Sequence, residues 1–273
     1  MRKTILITGT SSGYGKAAAT LFLERGWNVV AAMRRPDPAL FAPSDRLKLV
    51  RLDVTDRASI DRALADAVIA FGAIEVLVNN AGIGLASAFE ATPDATVREL
   101  FETNTFGTFA MCRAIIPILR RQGGGAIVNV TSSVTLGVMP LVAPYAASKC
   151  AVEGFTESLA YELEPFNIRT RLVEPGYGPT TAFTANGGTR MEGLIPPDYE
   201  GFAQASFANM ADYPTAYCTE AEVAEAVLAA ATEEGGQLRF PAGADSKLLA
   251  ELRWTAGEEA YLAKMRAMFA PAR

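Results

Sequence analysis

Short runs of apolar and β-branched residues alternate along this chain with longer segments of helical periodicity. Ile5–Thr8, Asn28–Met33, Leu47–Leu52, Glu75–Asn79, Ala126–Val130 and Ile168–Glu174 read as strands, with Gln237–Phe240 as a seventh. Most are apolar along their whole length, the pattern of strands covered on both faces of a parallel sheet. Between them, helices are predicted over Gly13–Arg25, Arg57–Phe71, Pro93–Arg121, Tyr145–Glu164 and Glu222–Thr232. Their ends carry chemical stops: Gly26, Gly72 and the glycines at 123, 124 and 125 close three of them, Asp56 caps one start, and Pro165 halts the fourth. A break is expected near Gly107. Repeated right-handed βαβ units predict an α/β, Rossmann-like doubly wound parallel sheet with helices on both faces. The chain reads as one domain over 1–273. Residues 177–219 are rich in Gly, Pro and aromatics with no clear period, and read as a substrate lid; a helical tail is expected over about 245–270.

The sequence has 273 residues, half of them apolar, enough to bury a large core, and carries a net charge of −5. That balance argues against a nucleic-acid binder, which needs a basic face. No apolar stretch reaches the ~18 residues of a membrane helix, and the first strand begins almost at once, so a soluble cytoplasmic protein without secretory leader is expected. Cys112, Cys150 and Cys218 lie far apart in no metal-ligand spacing and read as reduced thiols; Cys150, beside Lys149, reads as a small buried helix residue.

With no histidine in the chain, acid/base chemistry has to come from elsewhere. Tyr145 and Lys149 stand four apart on a predicted helix, so phenol and ammonium share one face and can reach one bound molecule. A tyrosine normally titrates near 10, and the lysine charge should bring it down. Ser132, at the end of the fifth strand, is placed where open α/β sheets bind ligands, with Ser133 as a weaker rival. Between the first strand and helix, Thr8-Gly9-Thr10-Ser11-Ser12-Gly13-Tyr14-Gly15 forms a glycine turn suited to a pyrophosphate. At the end of the second strand, Arg34 and Arg35 stand where a carboxylate would hold the ribose of NAD. Arginine suits a 2′-phosphate, so NADP(H) is favoured over NAD(H).

From Lys3 to about Thr180 the chain resembles the short-chain dehydrogenases/reductases, in the single-domain branch with TGxxxGxG and YxxxK motifs. The resemblance rests on Thr8–Gly15, Asp53, Asn79-Asn80-Ala81-Gly82, Asn104, Ser132, Tyr145, Lys149 and Pro175-Gly176. It implies that Gly9, Ser11, Ser12, Gly13, Tyr14 and Gly15 cradle the cofactor. Asp53 and Val54 would contact its adenine, and Asn80, Ala81 and Gly82 would shape its cleft. Ser132 would orient the substrate oxygen, Tyr145 would transfer the proton, and Lys149 would hold the nicotinamide ribose. Asn104 would keep a water in place for a proton relay, and Pro175, Gly176 and Thr180 would lie beside the nicotinamide.

Two departures stand out. Gly178 occupies a place where the family often has an aliphatic residue. The ending Arg239-Phe240-Pro241-Ala242-Gly243-Ala244-Asp245 replaces a VDGG-like run and looks more like hydroxysteroid and retinol dehydrogenase-type members. That favours a homodimer, through helices around Phe101–Leu119 and Ala151–Leu163, over a tetramer. The resemblance implies an NADP(H)-dependent oxidoreductase interconverting a carbonyl and a secondary alcohol on an apolar small molecule. An NAD(H)-dependent alcohol dehydrogenase and a non-catalytic dinucleotide-binding regulator are the alternatives, and intact Tyr145 and Lys149 disfavour the latter.

Overall fold

The computed structural model describes residues 2–178, 190–213 and 217–270; Thr180 and Phe183 lie outside them. Seven parallel strands form one sheet: β1 (Thr4–Thr8), β2 (Asn28–Met33), β3 (Leu47–Arg51), β4 (Val76–Asn79), β5 (Gly125–Val130), β6 (Ile168–Pro175) and β7 (Arg239–Ala242). Their order is β3-β2-β1-β4-β5-β6-β7. The order reverses direction between β1 and β4, and a cleft opens at the carboxyl ends of these two strands, the usual ligand position in such sheets.

Alternate strand residues feed two cores. Ile5, Ile7, Val29, Ala31, Val76, Val78, Ala126 and Val128 pack beneath α1 (Gly13–Glu24) and the helix Glu220–Thr232. Leu6, Val30, Leu77 and Ile127 face the other way, onto α2 (Arg57–Phe71), α4 (Gly107–Gln122) and α5 (Ala143–Leu163). The period-two alternation explains why strand residues are buried on both sides. Each large side chain so buried, Phe22 or Leu77 among them, contributes roughly 1.5–3 kcal/mol.

A polar chain runs through the second core. Asn79 Nδ2 donates to Asn129 Oδ1 at 2.8 Å, Asn129 Nδ2 donates to Thr156 Oγ1 at 2.8 Å, and Thr156 Oγ1 donates to the Val152 carbonyl at 2.6 Å. It ties β4 and β5 to α5 at one register, and each buried bond is costly to break because its partner is left unsatisfied.

The expected break near Gly107 is a π-helical turn, Glu102–Phe106, between α3 (Asp94–Phe101) and α4. Gly107 leaves room for Val54, whose methyl group would lie 2.7 Å from any added Cβ. The region expected to be irregular contains a regular helix, α6 (Pro197–Asp212). Sequence periodicity missed it because Ala203 and Ser206 are buried while the larger Phe202 and Phe207 remain about two-fifths exposed, so no large-apolar stripe marks a face. Counting Glu220–Thr232 as α7, the tail comprises α8 (Ala244–Thr255) and α9 (Glu258–Phe269), broken at Ala256-Gly257. The seventh strand lies two residues later than the sequence suggests. Cys150 is exposed, not buried: one step beyond Lys149 turns it about 100° around the helix, away from the packed face.

Glu174 on β6 is fully buried, and burial pushes its carboxyl up to about 7, with Glu153 adding to the effect and Arg239 opposing it. Its folded value lies above its unfolded one, so the native state holds this proton more tightly and loses stability as pH rises from about 4.5 to 7. Glu174→Gln should therefore gain melting temperature over the unmodified protein as pH goes from 5 to 8 in thermal unfolding. A difference that stays constant over that range contradicts this origin.

Candidate active site

The cleft above the β1/β4 switch point is a cavity of about 1360 Å³, lined by the carboxyl ends of the central strands, the first turn of α1 and the tail helices. Its floor on the β1 side is the glycine turn. Gly9 has φ +73°, and its N–H, with that of Thr10, donates to the Ala32 carbonyl at 2.9 and 3.2 Å. Gly15 packs against the Gly9 carbonyl and the Asn80 amide so closely that a Cβ would collide with both. The same amide donates to the carbonyls of Thr8 and Gly9, at 2.9 and 3.3 Å. The Thr8 hydroxyl in turn accepts from the N–H groups of Asn80 and Ala81, each at 3.0 Å. Turn and Asn79–Gly82 segment are thus one bonded unit. Ser11, Ser12, Gly13 and Tyr14 line the cavity beside it.

Asp53 and Val54 line the opposite wall, with Arg34. Burial works against an ionised Asp53, but bonds from the Thr55 N–H and hydroxyl and the charges of Arg34 and Arg51 outweigh it and hold the carboxyl below its usual range. Arg34 and Arg35 are both exposed, so a guanidinium is available at the rim where β2 ends.

Tyr145, Lys149 and Ser132 come together on the far side. Ser132 caps a 3₁₀ turn with its hydroxyl accepting from the Val134 N–H at 3.3 Å, and it also hydrogen-bonds the Tyr145 phenol. That contact separates it from its rival: Ser133 is 3% exposed and lies within the turn. Lys149 Nζ donates to the Val130 carbonyl at 3.1 Å, anchoring the ammonium to the end of β5.

Burial opposes the lowering of the Tyr145 phenol that Lys149 would favour. Within the protein's own residues, desolvation pushes Tyr145 up to about 12, and the Ser132 hydrogen bond opposes it only in part. Burial also disfavours the charged form of Lys149 and brings it down to about 8, against the opposing charge of Glu153.

Asn104 sits in the π turn, its side chain fully engaged. Oδ1 accepts from the Ile83 N–H at 2.8 Å, and Nδ2 donates to the Ile83 carbonyl at 2.9 Å and to the Ser148 hydroxyl at 3.1 Å. Its Oδ1 and the Lys149 ammonium are the groups nearest Gly82, which places the two residues together.

Pro175 and Gly176 line the cavity, and here the tail helices enter. Asp245, 3% exposed at the start of α8, accepts from the Tyr177 N–H at 2.7 Å and leaves no space for a Cβ at Gly176. The Tyr14 hydroxyl donates to the Gly176 carbonyl at 3.3 Å. It also occupies the space a side chain at 178 would need, which accounts for glycine at that position. Sequence reading named Tyr14 for its place in the motif but missed this contact, because nothing local links positions 14, 176 and 178. Asp245 was missed for the same reason. Met139, Val142, Phe207, Met210, Tyr213 and Phe269 also line the cavity.

The comparisons with known proteins agree with this geometry. The short chain dehydrogenase family model matches residues 3–190. An uncharacterized oxidoreductase of Bacillus subtilis, YusZ, is 36% identical over 97% of this chain and 99% of its own length. A 3-ketodihydrosphingosine reductase of Bacteroides thetaiotaomicron is 38% identical over 67% of this chain and 66% of its own. Among solved structures, a short chain dehydrogenase from Burkholderia cenocepacia in complex with NADP aligns with TM-score 0.76 and 28% identity over 97% of each chain. The chain belongs to the short-chain dehydrogenase family and is an oxidoreductase with its Rossmann-like fold.

Proposed function

We propose that the protein is an NADP(H)-dependent reductase of apolar carbonyl compounds, working reversibly on the corresponding secondary alcohols, with all 273 residues acting as one dinucleotide-binding unit. The observation that carries this reading is the convergence of Ser132, Tyr145 and Lys149 in the same cavity that the glycine turn and Arg34 line. The residues present fit a dinucleotide. The collision awaiting a Cβ at Gly15 reflects a turn packed to bring backbone close to a pyrophosphate, and Asp53 and Val54 flank the place for an adenine. The nicotinamide, when bound, supplies the hydride.

In this reading the chain's own residues supply orientation and the proton. Ser132 holds the substrate oxygen next to the Tyr145 hydroxyl, which gives up its proton as the carbonyl becomes an alkoxide. Lys149, anchored on Val130, stabilises the phenolate left behind and offsets the burial that otherwise opposes ionisation. The Asn104 amide is spent on Ile83 and Ser148 and its carbonyl accepts from the Thr108 hydroxyl at 2.9 Å, so a relay water beside Lys149 would share that carbonyl with Thr108. Met139, Val142, Phe207 and Met210 favour an apolar substrate over a sugar phosphate. The sphingoid ketone named for the Bacteroides relative is of that kind.

Tyr145→Phe removes the proton donor but keeps the ring. Its turnover in a carbonyl panel with NADPH should fall about 10³-fold or more, with NADPH binding nearly unchanged; retained turnover would overturn the assignment. For the cofactor, fluorescence titration should show NADPH binding more tightly than NADH. Arg34→Asp should weaken NADPH roughly tenfold or more and leave NADH little changed. Tighter NADH binding by the unmodified protein would contradict the preference.

A further inference from the structure

Behind Lys149, away from the cavity, lies a buried ionic cluster built from the chain's divergent ending. Glu153 stands one helical turn beyond Lys149 and is 8% exposed. Its Oε1 accepts from the hydroxyls of Thr131 at 3.0 Å and Thr135 at 2.5 Å, both in the segment that carries Ser132. Its Oε2 accepts from Arg239 of β7 at 2.7 Å. The same guanidinium binds Glu174 of β6 and Glu157 of α5, each at 2.5 Å, and lies 5.0 Å from the ring centre of Trp254 on α8. Three carboxylates thus converge on one cation.

We propose that Glu153, clamped by Arg239, is a positioning residue that keeps Lys149 charged for proton transfer at Tyr145. This rests on the reading of Tyr145 and Lys149 given above. Lys149 is buried with its Nζ on the Val130 carbonyl and beside the Asn104 amide, neither of which carries a charge, and the field of Glu153 favours its ammonium. Around Glu153, Arg239 faces from β7, Glu174 from β6, and Glu157 and Cys150 from its own helix, while Arg253 of α8 acts on Cys150. Burial pushes Glu174 up to about 7 and so favours its protonated form relative to an ordinary carboxyl. The carboxylates outnumber the one guanidinium, and Glu153 is the one a single helical turn from Lys149. The two threonines fix the carboxylate to the strand end that positions Ser132, so one side chain aligns both halves of the site.

Glu153→Gln keeps the shape and removes the charge, and the readout is the pH profile of alcohol oxidation. Without Glu153 the ammonium is lost at lower pH, so Tyr145 yields its proton later. The ascending limb of log kcat should move up by about one pH unit, with rate at pH 8 falling roughly tenfold. Glu153→Asp should move the limb back toward its original place. A purely structural role would lower the rate equally at all pH values. Because Glu153→Gln leaves Arg239 with fewer partners and could fail to fold, circular dichroism and NADPH affinity check the variant before its limb is read, and Glu153→Asp, which keeps the charge, serves as the second variant. An unmoved limb in a folded variant that binds NADPH overturns the proposal for Glu153. An unmodified protein that turns over no carbonyl or alcohol overturns the underlying reading instead.

Discussion

The register between α5 and the sheet is the constraint on which the site depends. Tyr145 and Lys149 face the cavity only if this helix is held at one rotation, and apolar packing alone is forgiving about rotation. The chain Asn79–Asn129–Thr156 removes that freedom, because a helix turned by one residue would leave buried amides without partners. The Lys149 bond to the Val130 carbonyl and the Thr105 hydroxyl bond to the Ser148 carbonyl continue the lock into the site. Asn104 extends it further, joining the π turn to Ser148 and to Ile83 at the cavity wall.

Such tight burial has an electrostatic consequence. The desolvation that orders the phenol and the ammonium also disfavours the charged form of each, pushing Tyr145 up and Lys149 down. In the proposed mechanism, proton transfer then requires groups placed to oppose it. Ser132 acts on the phenol directly, and Glu153 acts on the ammonium from the rear. Arg239, from the part of the chain that departs most from the family's common ending, holds Glu153 in place.

The six strands from β1 to β6 were legible because fully buried parallel strands leave long apolar runs, and helix ends were legible wherever a glycine or proline marks them. The Tyr145–Lys149 and Thr8–Gly15 patterns were legible for a related reason: their chemistry is confined to neighbours on one helix or one turn. What was hidden depends on contacts between distant positions. Nothing near Gly178 discloses that the Tyr14 hydroxyl fills its space, and nothing near Asp245 discloses its bond to Tyr177. The helix α6 was hidden because small residues make its buried face. Burial itself, which pushes the Tyr145 phenol up, is a property of the packed whole. Glu153 carried a readable signal, a carboxylate four residues beyond a lysine, but its partners on β6 and β7 did not.

The central claim, hydride transfer to a carbonyl carbon beside Tyr145, is tested most directly by following the hydrogen itself. NADPH deuterated at the hydride-donating carbon of its nicotinamide would be incubated with the protein and apolar ketones, and the alcohol examined by mass spectrometry and NMR. Deuterium at the carbinol carbon is the predicted result, in one stereochemical sense. Failure of every ketone to acquire the label, with the protein folded and NADPH bound, would contradict the account.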